Sequence, residues 1–242
     1  MLDIDGTLCD IVERADAATI PGTARASLRS LIDQRRRGVH VAFVTGRSVA
    51  DARRMLAIDG VTIYGNHGME HLSESGNITG PEGWEHAGLA LRDARRDLDA
   101  VVAQFPGSSV EDKKFSLTLH FRKMDMRMLP ALEQRVAEIA RVRGVVLAPG
   151  KRIINVLPCA SVTKGDAVLE IVRELDGESP DASILFVGDD VTDEDGFRAL
   201  RALPHATTVH VGAIGTRTEA RFSLRDPGEV HELLNLLAES RS

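Results

Sequence analysis

The sequence predicts an α/β protein, a parallel-sheet core interrupted by a smaller α+β unit. Three observations carry that prediction. Apolar runs of strand length recur at Val41 to Val44, Ser183 to Val187 and Thr208 to Val211, and stretches of helical period separate them, as in a sheet buried on both faces. Acidic or phosphate-binding residues follow several of these runs directly, which is where open parallel sheets place ligands, beyond the carboxyl ends of their strands. Between about residues 70 and 158 the periodicity changes, so a second architecture begins inside the first. The expected division is a Rossmann-like parallel-sheet core of residues 1–70 and 159–242, with an inserted α+β domain of residues 71–158.

Each element has its own pattern. Leu28, Leu31 and Ile32 mark a helix ahead of the run at Val41, and Gly165 to Leu175 and Val230 to Leu237 mark two more. In the inserted stretch, Ala87, Leu91, Ala94, Leu98, Val101 and Phe105 recur at steps of four and three, giving an amphipathic helix of about five turns. Phe115, Leu117, Leu119 and Phe121 alternate with Ser116, Thr118, His120 and Arg122, a strand with one apolar and one polar face. Leu132, Val136 and Ile139 predict a second helix, and Ala148-Pro149-Gly150-Lys151 a turn between two further strands.

Composition excludes several function classes. Of the 242 residues, 43% are hydrophobic and 27% charged, and the formal charge of -6 argues against a nucleic-acid-binding surface. Cys9 and Cys159 lack metal-type spacing and read as reduced thiols of a cytoplasmic protein. No apolar run approaches the ~20 residues that cross a bilayer, so no membrane role is expected. Only two residues precede Asp3, fewer than the roughly five of an ordinary strand, so either that strand is clipped or the natural start lies upstream.

Four segments carry chemistry. Asp3-Ile4-Asp5-Gly6-Thr7 puts two carboxylates two residues apart at a strand end, so one can attack phosphorus while the other handles the leaving group's proton. Thr45-Gly46-Arg47-Ser48 lies between an apolar strand and a helical pattern, where a hydroxyl and backbone amides can hold a phosphoryl oxygen. Lys164 opens a helix where the chain returns to the core, and an ammonium there can neutralise charge shared by a carboxylate and a phosphoryl group. Gly188-Asp189-Asp190-Val191-Thr192-Asp193-Glu194-Asp195 follows the run ending at Val187, and so many acids at a buried strand end call for a hard divalent cation, Mg²⁺. A calcium loop is excluded, because aligning Gly196 with its central glycine puts Val191 first and Ala202 last, where carboxylates are required.

In this order, the segments resemble the four motifs of haloacid-dehalogenase-superfamily phosphatases, matched at Asp3-x-Asp5-Gly6-Thr7, Thr45, Lys164 and Gly188-Asp189-Asp190. Within that superfamily the chain is most similar to trehalose-6-phosphate phosphatases, through Gly65 to Glu70, Val110 to Ser116, Leu119 to Arg122 and Gly188 to Asp195. The resemblance spans nearly the whole chain. It implies a core of the haloacid-dehalogenase type, and a cap that closes over it and recognises sugar. It implies Asp3 as nucleophile, Asp5 as general acid/base, Thr45 and Lys164 orienting the phosphoryl group, and Mg²⁺ on Asp3, the Asp5 backbone carbonyl and Asp189. Gly46, Arg47, Asn66 and His67 then fall to substrate binding, with Glu111 and Lys113 as candidate sugar contacts.

One stretch departs from the family. Its last cap strand resembles Glu-x-Arg-Pro, whereas this chain reads Asn155-Val156-Leu157-Pro158. Loss of an acid and a guanidinium removes charge-assisted hydrogen bonds, so the substrate is less firmly implied than the reaction. The expected partner is a small sugar phosphate, trehalose 6-phosphate first. Sucrose phosphate, a mannosylglycerate precursor, a phosphomutase reaction and a catalytically silent regulatory role are the alternatives.

Overall fold

The computed structural model describes residues 1–12, 17–80, 84–113, 115–150, 152–158 and 162–240, with the side chains of 84–87 left out. The expectations placed on Ala87, on Lys114 and Lys151 and on Cys159 lie outside the described residues. In chain order the first segment holds α1 (Gly22–Asp33), β1 (Ala42–Val44), α2 (Val49–Leu56), β2 (Thr62–Gly65), β3 (Glu70–Leu72) and β4 (Ile78–Thr79). The inserted segment holds α3 (Trp84–Val102), β5 (Ser109–Asp112), β6 (Leu117–His120), α4 (Leu129–Arg143), β7 (Val145–Gly150) and β8 (Ile153–Pro158). The returning segment holds α5 (Lys164–Glu174), β9 (Ile184–Gly188), α6 (Asp193–Ala199), β10 (Ala206–Val211), β11 (Phe222–Leu224) and α7 (Pro227–Ser240).

The chain divides into two compact units, Met1–Thr79 with Val162–Ser242, and Gly80–Ser161. Residues 71–79, grouped with the insertion on sequence grounds, belong to the first unit, where β3 pairs antiparallel with β2 and β4 antiparallel with β3.

In the first unit, β1 and β2 run parallel on one side and β9, β10 and β11 run parallel on the other. Leu2 joins the two halves, bridging Phe43 and Val187 in parallel register. Its amide donates to Ala42 O at 3.0 Å, its carbonyl accepts from Val44 N at 3.0 Å, and Asp3 N donates to Val187 O at 2.9 Å. The short strand thus sits at the sheet's centre. One face packs Leu2, Phe43 and Val187 against Leu28 of α1 and Val230 and Leu234 of α7. The other packs Val44, Tyr64 and Phe186 against Val168 and Ile171 of α5 and Phe197 of α6. Because Leu2, β1 and β9 are parallel neighbours, the residues that follow them, Asp3, Thr45 and Asp189, emerge at one end of the sheet.

The second unit is an antiparallel sheet in the order β5-β6-β8-β7. Leu91, Leu98 and Val101 of α3 and Leu132 and Val136 of α4 cover Leu117, Leu119, Ile154 and Val156 on one face. Each such fully buried aliphatic side chain contributes about 1.5–3 kcal/mol. Two expectations change here. The alternating strand is shorter than its pattern, and on its polar face Thr118 is buried and donates to Asn155 Oδ1 at 2.9 Å. Ala148, Pro149 and Gly150 are not a turn but pair with Asn155, Ile154 and Ile153, so β7 runs on through Gly150. No helix among the described residues is long and apolar enough to cross a membrane.

Candidate active site

Asp3 leaves the central strand and is buried at once, and its Oδ1 lies 3.0 Å from Lys164 Nζ. Lys164 is the first residue of α5, and Thr163 caps that helix reciprocally with Asp166, so the backbone carrying the lysine is fixed by a capping box. The ammonium does not reach solvent. Its side chain is 2% exposed and also donates to Asp193 Oδ1 at 2.9 Å. The other oxygen of Asp193 accepts from the amides of Asp189 and Asp190, both at 3.1 Å. Asp193 is therefore fully engaged, at the start of α6, in holding the lysine and the turn after β9.

Asp189 completes the group. Ligand oxygens of Asp3, Asp189 and Asp193 lie within 4.8 Å of one another. Gly6 adopts φ +78°, and a Cβ there would stand 2.0 Å from Asp189 Oδ2, so the glycine provides both the left-handed turn and the space in which Asp189 approaches Asp3. Thr7, fully buried, directs its hydroxyl to Asp189 Oδ1 at 3.5 Å.

Three carboxylates facing one ammonium leave an excess of negative charge. Burial raises the Asp3 carboxyl well above its ordinary range, with Lys164 pulling it down and Asp193 and Asp189 pushing it up again. Burial, reinforced by Asp193 and Asp190, lifts Asp189 to about 7. Asp193 is also raised, again chiefly by burial. Burial opposes the charge on Lys164, but Asp3, Asp193 and Asp190 override it and raise its pKa. An all-oxygen set with surplus negative charge fits a hard divalent ion such as Mg²⁺. With both Asp193 oxygens committed, Asp3 and Asp189 are the carboxylates left to hold it.

Not all the acids after β9 serve this purpose. Asp190 Oδ1 accepts from the amide and hydroxyl of Thr192, both at 2.6 Å, and shapes the turn into α6. Glu194 accepts from Thr218 Oγ1 at 2.6 Å and from Glu219 N at 2.7 Å, while Asp195 pairs with Arg198. The expectation that the whole cluster needs a cation is corrected: local donors balance these three, and only Asp189 and Asp193 turn toward Asp3.

Asp5 points elsewhere. Arg47 grips its carboxylate in a bidentate pair, Nε to Oδ2 and NH2 to Oδ1, both 2.6 Å. Thr45 is buried, and its Oγ1 accepts from Arg47 N at 3.2 Å. Ser48 is the residue that caps α2, accepting from Asp51 N, and Glu70 accepts from Val49 N at the same helix start. The Thr45 loop is tied to the next one, because His67 N donates to Thr45 O at 2.9 Å and Asn66 N to Arg47 O at 2.7 Å. Asn66 and His67 both take left-handed backbone, φ 47° and 60°. Such conformations cost about 1–3 kcal/mol each and concentrate at functional sites. Gly46 is needed where it stands, since a Cβ would come within 2.7 Å of His67 Cε1.

Asp3, Asp5, Thr45, Gly46, Arg47, Asn66, His67, Lys164 and Asp189 thus all belong to the first unit, at or beside the carboxyl end of its sheet. Asp193 and Thr7 were not singled out from sequence. The signal for Asp193 was its place four residues after Asp189 at a helix start, which also suits an acid stabilising the helix dipole.

Glu111 and Lys113 lie in the second unit. Glu111 faces Thr118 across β5 and β6, and Thr118 faces Asn155 across β6 and β8, so the three form a row on the face away from the helices. Glu111 Oε2 also meets His120 Nε2 at 2.8 Å. Lys113 N donates to Ser116 O at 2.9 Å in the turn that joins the two strands.

A family model described as trehalose-phosphatase matches residues 1–227. A probable trehalose-phosphate phosphatase of Oryza sativa is 31% identical over 98% of this chain and 68% of the relative. An uncharacterized glycosyl hydrolase of Mycobacterium tuberculosis is 32% identical over 98% of this chain, which spans only 18% of that protein's length. Among solved structures, a trehalose-6-phosphate phosphatase related protein superposes with a TM-score of 0.77 at 29% identity, over 99% of this chain and 96% of the other.

Proposed function

This chain belongs to the trehalose-phosphatase family, phosphoric monoester hydrolases of the haloacid-dehalogenase fold, and we propose that it hydrolyses trehalose 6-phosphate to trehalose and phosphate through Asp3. The observation that carries the reading is the dry contact of Lys164 with both Asp3 and Asp193. A buried ammonium fixed beside a buried carboxylate orients a nucleophile and offsets the charge a phosphoryl group brings.

Asp3 attacks phosphorus in line and the ester oxygen leaves. Asp5, two residues on and aimed by Arg47, gives that oxygen its proton. It then takes a proton from the water that hydrolyses the aspartyl phosphate, regenerating Asp3 and releasing phosphate. Lys164 and the Thr45 hydroxyl hold the phosphoryl oxygens, and Asn66, His67 and Arg47 border them. Asp3, Asp189 and the Asp5 carbonyl would hold Mg²⁺, which when bound would supply charge neutralisation for the incoming dianion. Glu111 and Lys113 are the residues assigned to sugar hydroxyls.

Asn155 and Leu157 favour keeping a second reading, a phosphatase for another sugar phosphate, because the Thr118 hydroxyl occupies the Asn155 carbonyl where relatives carry an acid. The test is kcat/KM for trehalose, sucrose and glucose 6-phosphates, with and without chelator. Trehalose 6-phosphate is expected to lead, with activity lost on chelation and restored by Mg²⁺. Preference for another sugar phosphate would move the substrate and leave the chemistry standing. Full activity without metal would remove the role of Asp189.

A further inference from the structure

We propose that His71, Glu170 and Glu174 form a second cation site, on residues distinct from those of the catalytic group, that takes a divalent transition ion of the zinc class. One ligand atom from each lies within 4.8 Å of the others. His71 is on β3, and Glu170 and Glu174 are one turn apart on α5. The imidazole stacks on Tyr64 of β2, with ring centroids 4.3 Å apart and planes 11° from parallel. Tyr64 is itself buried and donates its hydroxyl to Glu174 Oε2 at 3.4 Å.

Two features separate this cluster from an ordinary solvated face. Carboxylates at i and i+4 repel one another, and among the described residues neither Glu170 nor Glu174 has a lysine or arginine partner, the neutral Tyr64 hydroxyl being the donor beside them. The third group is an imidazole from another element, held in one plane by an aromatic stack and directed at the same point. One nitrogen and two carboxylate oxygens suit Zn²⁺, Co²⁺ or Mn²⁺, whereas Mg²⁺ prefers all-oxygen surroundings and retains its water. Tetrahedral Zn²⁺ with ligands about 2.0–2.2 Å away needs its donor atoms roughly 3.4 Å apart, a spacing inside the 4.8 Å that bounds this cluster.

The site spans two elements that matter elsewhere. α5 begins at Lys164, and the connection from β2 to β3 contains Asn66 and His67. A bound ion would clamp the helix to that hairpin. The inference does not depend on the substrate, so it stands or falls apart from the proposed activity.

The experiment uses the full chain in saturating Mg²⁺, titrated with Zn²⁺ by calorimetry and with Co²⁺ by visible absorption, alongside thermal melting. One additional site is expected, with a raised Tm and a ligand-field spectrum that Zn²⁺ abolishes. Glu170→Gln with Glu174→Gln should weaken binding by more than the roughly 10- to 100-fold that loss of an outer-shell partner costs. His71→Gln should remove the nitrogen contribution to the Co²⁺ spectrum, and Asp189→Asn should leave this site intact. No Zn²⁺ binding beyond the Mg²⁺ site overturns the proposal. So does binding that survives the double glutamate variant or disappears in Asp189→Asn.

Discussion

Charge is handled in opposite ways by the group around Asp3 and by the sheet unit inserted between Gly80 and Ser161. In the group, the side chains of Asp3, Lys164 and Asp193 are 6%, 2% and 0% exposed, and Lys164 is the ammonium that meets both carboxylates. In the sheet unit, the pairs lie in water: Arg143 with Asp97 at 32% and 32%, Arg95 with Asp99 at 32% and 50%, His120 with Glu111 at 38% and 50%. Removing one member of a dry pair strands an unsolvated charge, whereas a wet pair gives up little more than it gains from water. In the group proposed for catalysis, the loss of one member is therefore costly wherever it leaves a buried charge without a partner. The residues proposed for recognition sit where single replacements are cheap.

The strongest way to break that contrast is at Asp3. Asp3→Asn keeps the shape but cannot attack phosphorus, so turnover should vanish while the melting transition survives, since Lys164 retains Asp193. Phosphate release by the folded, Mg²⁺-loaded variant would refute covalent catalysis. Asp5→Asn should be next, slowing turnover by roughly 10²- to 10⁴-fold, the scale of general acid/base catalysis. An unchanged kcat would take Asp5 out of its role and leave its pair with Arg47 a structural one.

Stability sharpens the comparison further. Asp193→Ala removes the second partner of Lys164 and the acceptor of two amides, and should cost about 3–5 kcal/mol in denaturant unfolding. Asp97→Ala removes the 2.7 Å partner of Arg143 and should cost about 1 kcal/mol or less. Equal losses would mean that burial is not what distinguishes the two groups.

How far the sequence carried the site follows from the same physics. Asp3, Thr45, Lys164 and Asp189 each follow a strand or open a helix of strong period, so order and spacing were enough to bring them to one sheet end. Leu2 was harder, because a strand too short to show a period gains its place only from Phe43 and Val187 on either side. Asp193 looked like any acid at a helix start, and its role rests on a lysine 29 positions away. Alternation placed Thr118 on a polar face because it describes one strand, while the hydrogen bond of Thr118 to Asn155 joins two strands and shows only in the register.

The last prediction lies on that row and is the smallest. Glu111, Thr118 and Asn155 align across the sheet, and Leu157 faces Val146 two residues further along the same face of β8. An Asn155→Glu, Leu157→Arg double variant therefore adds an acid and a guanidinium to the side of the sheet that α3 and α4 leave open. Neither change touches the apolar cluster, which takes Ile154 and Val156 instead. If those charges meet sugar hydroxyls, each gains a charge-assisted hydrogen bond of about 1.5–3 kcal/mol, or roughly 10- to 150-fold in kcat/KM for trehalose 6-phosphate. A small aryl phosphate without sugar should be hydrolysed as before, because nothing at Asp3 has changed. A gain on both substrates would mean that the variant acts on chemistry rather than recognition, and the division of labour between dry core and wet sheet would fail. No gain on either would show that Asn155, already held by Thr118, and Leu157 are not where the sugar is read.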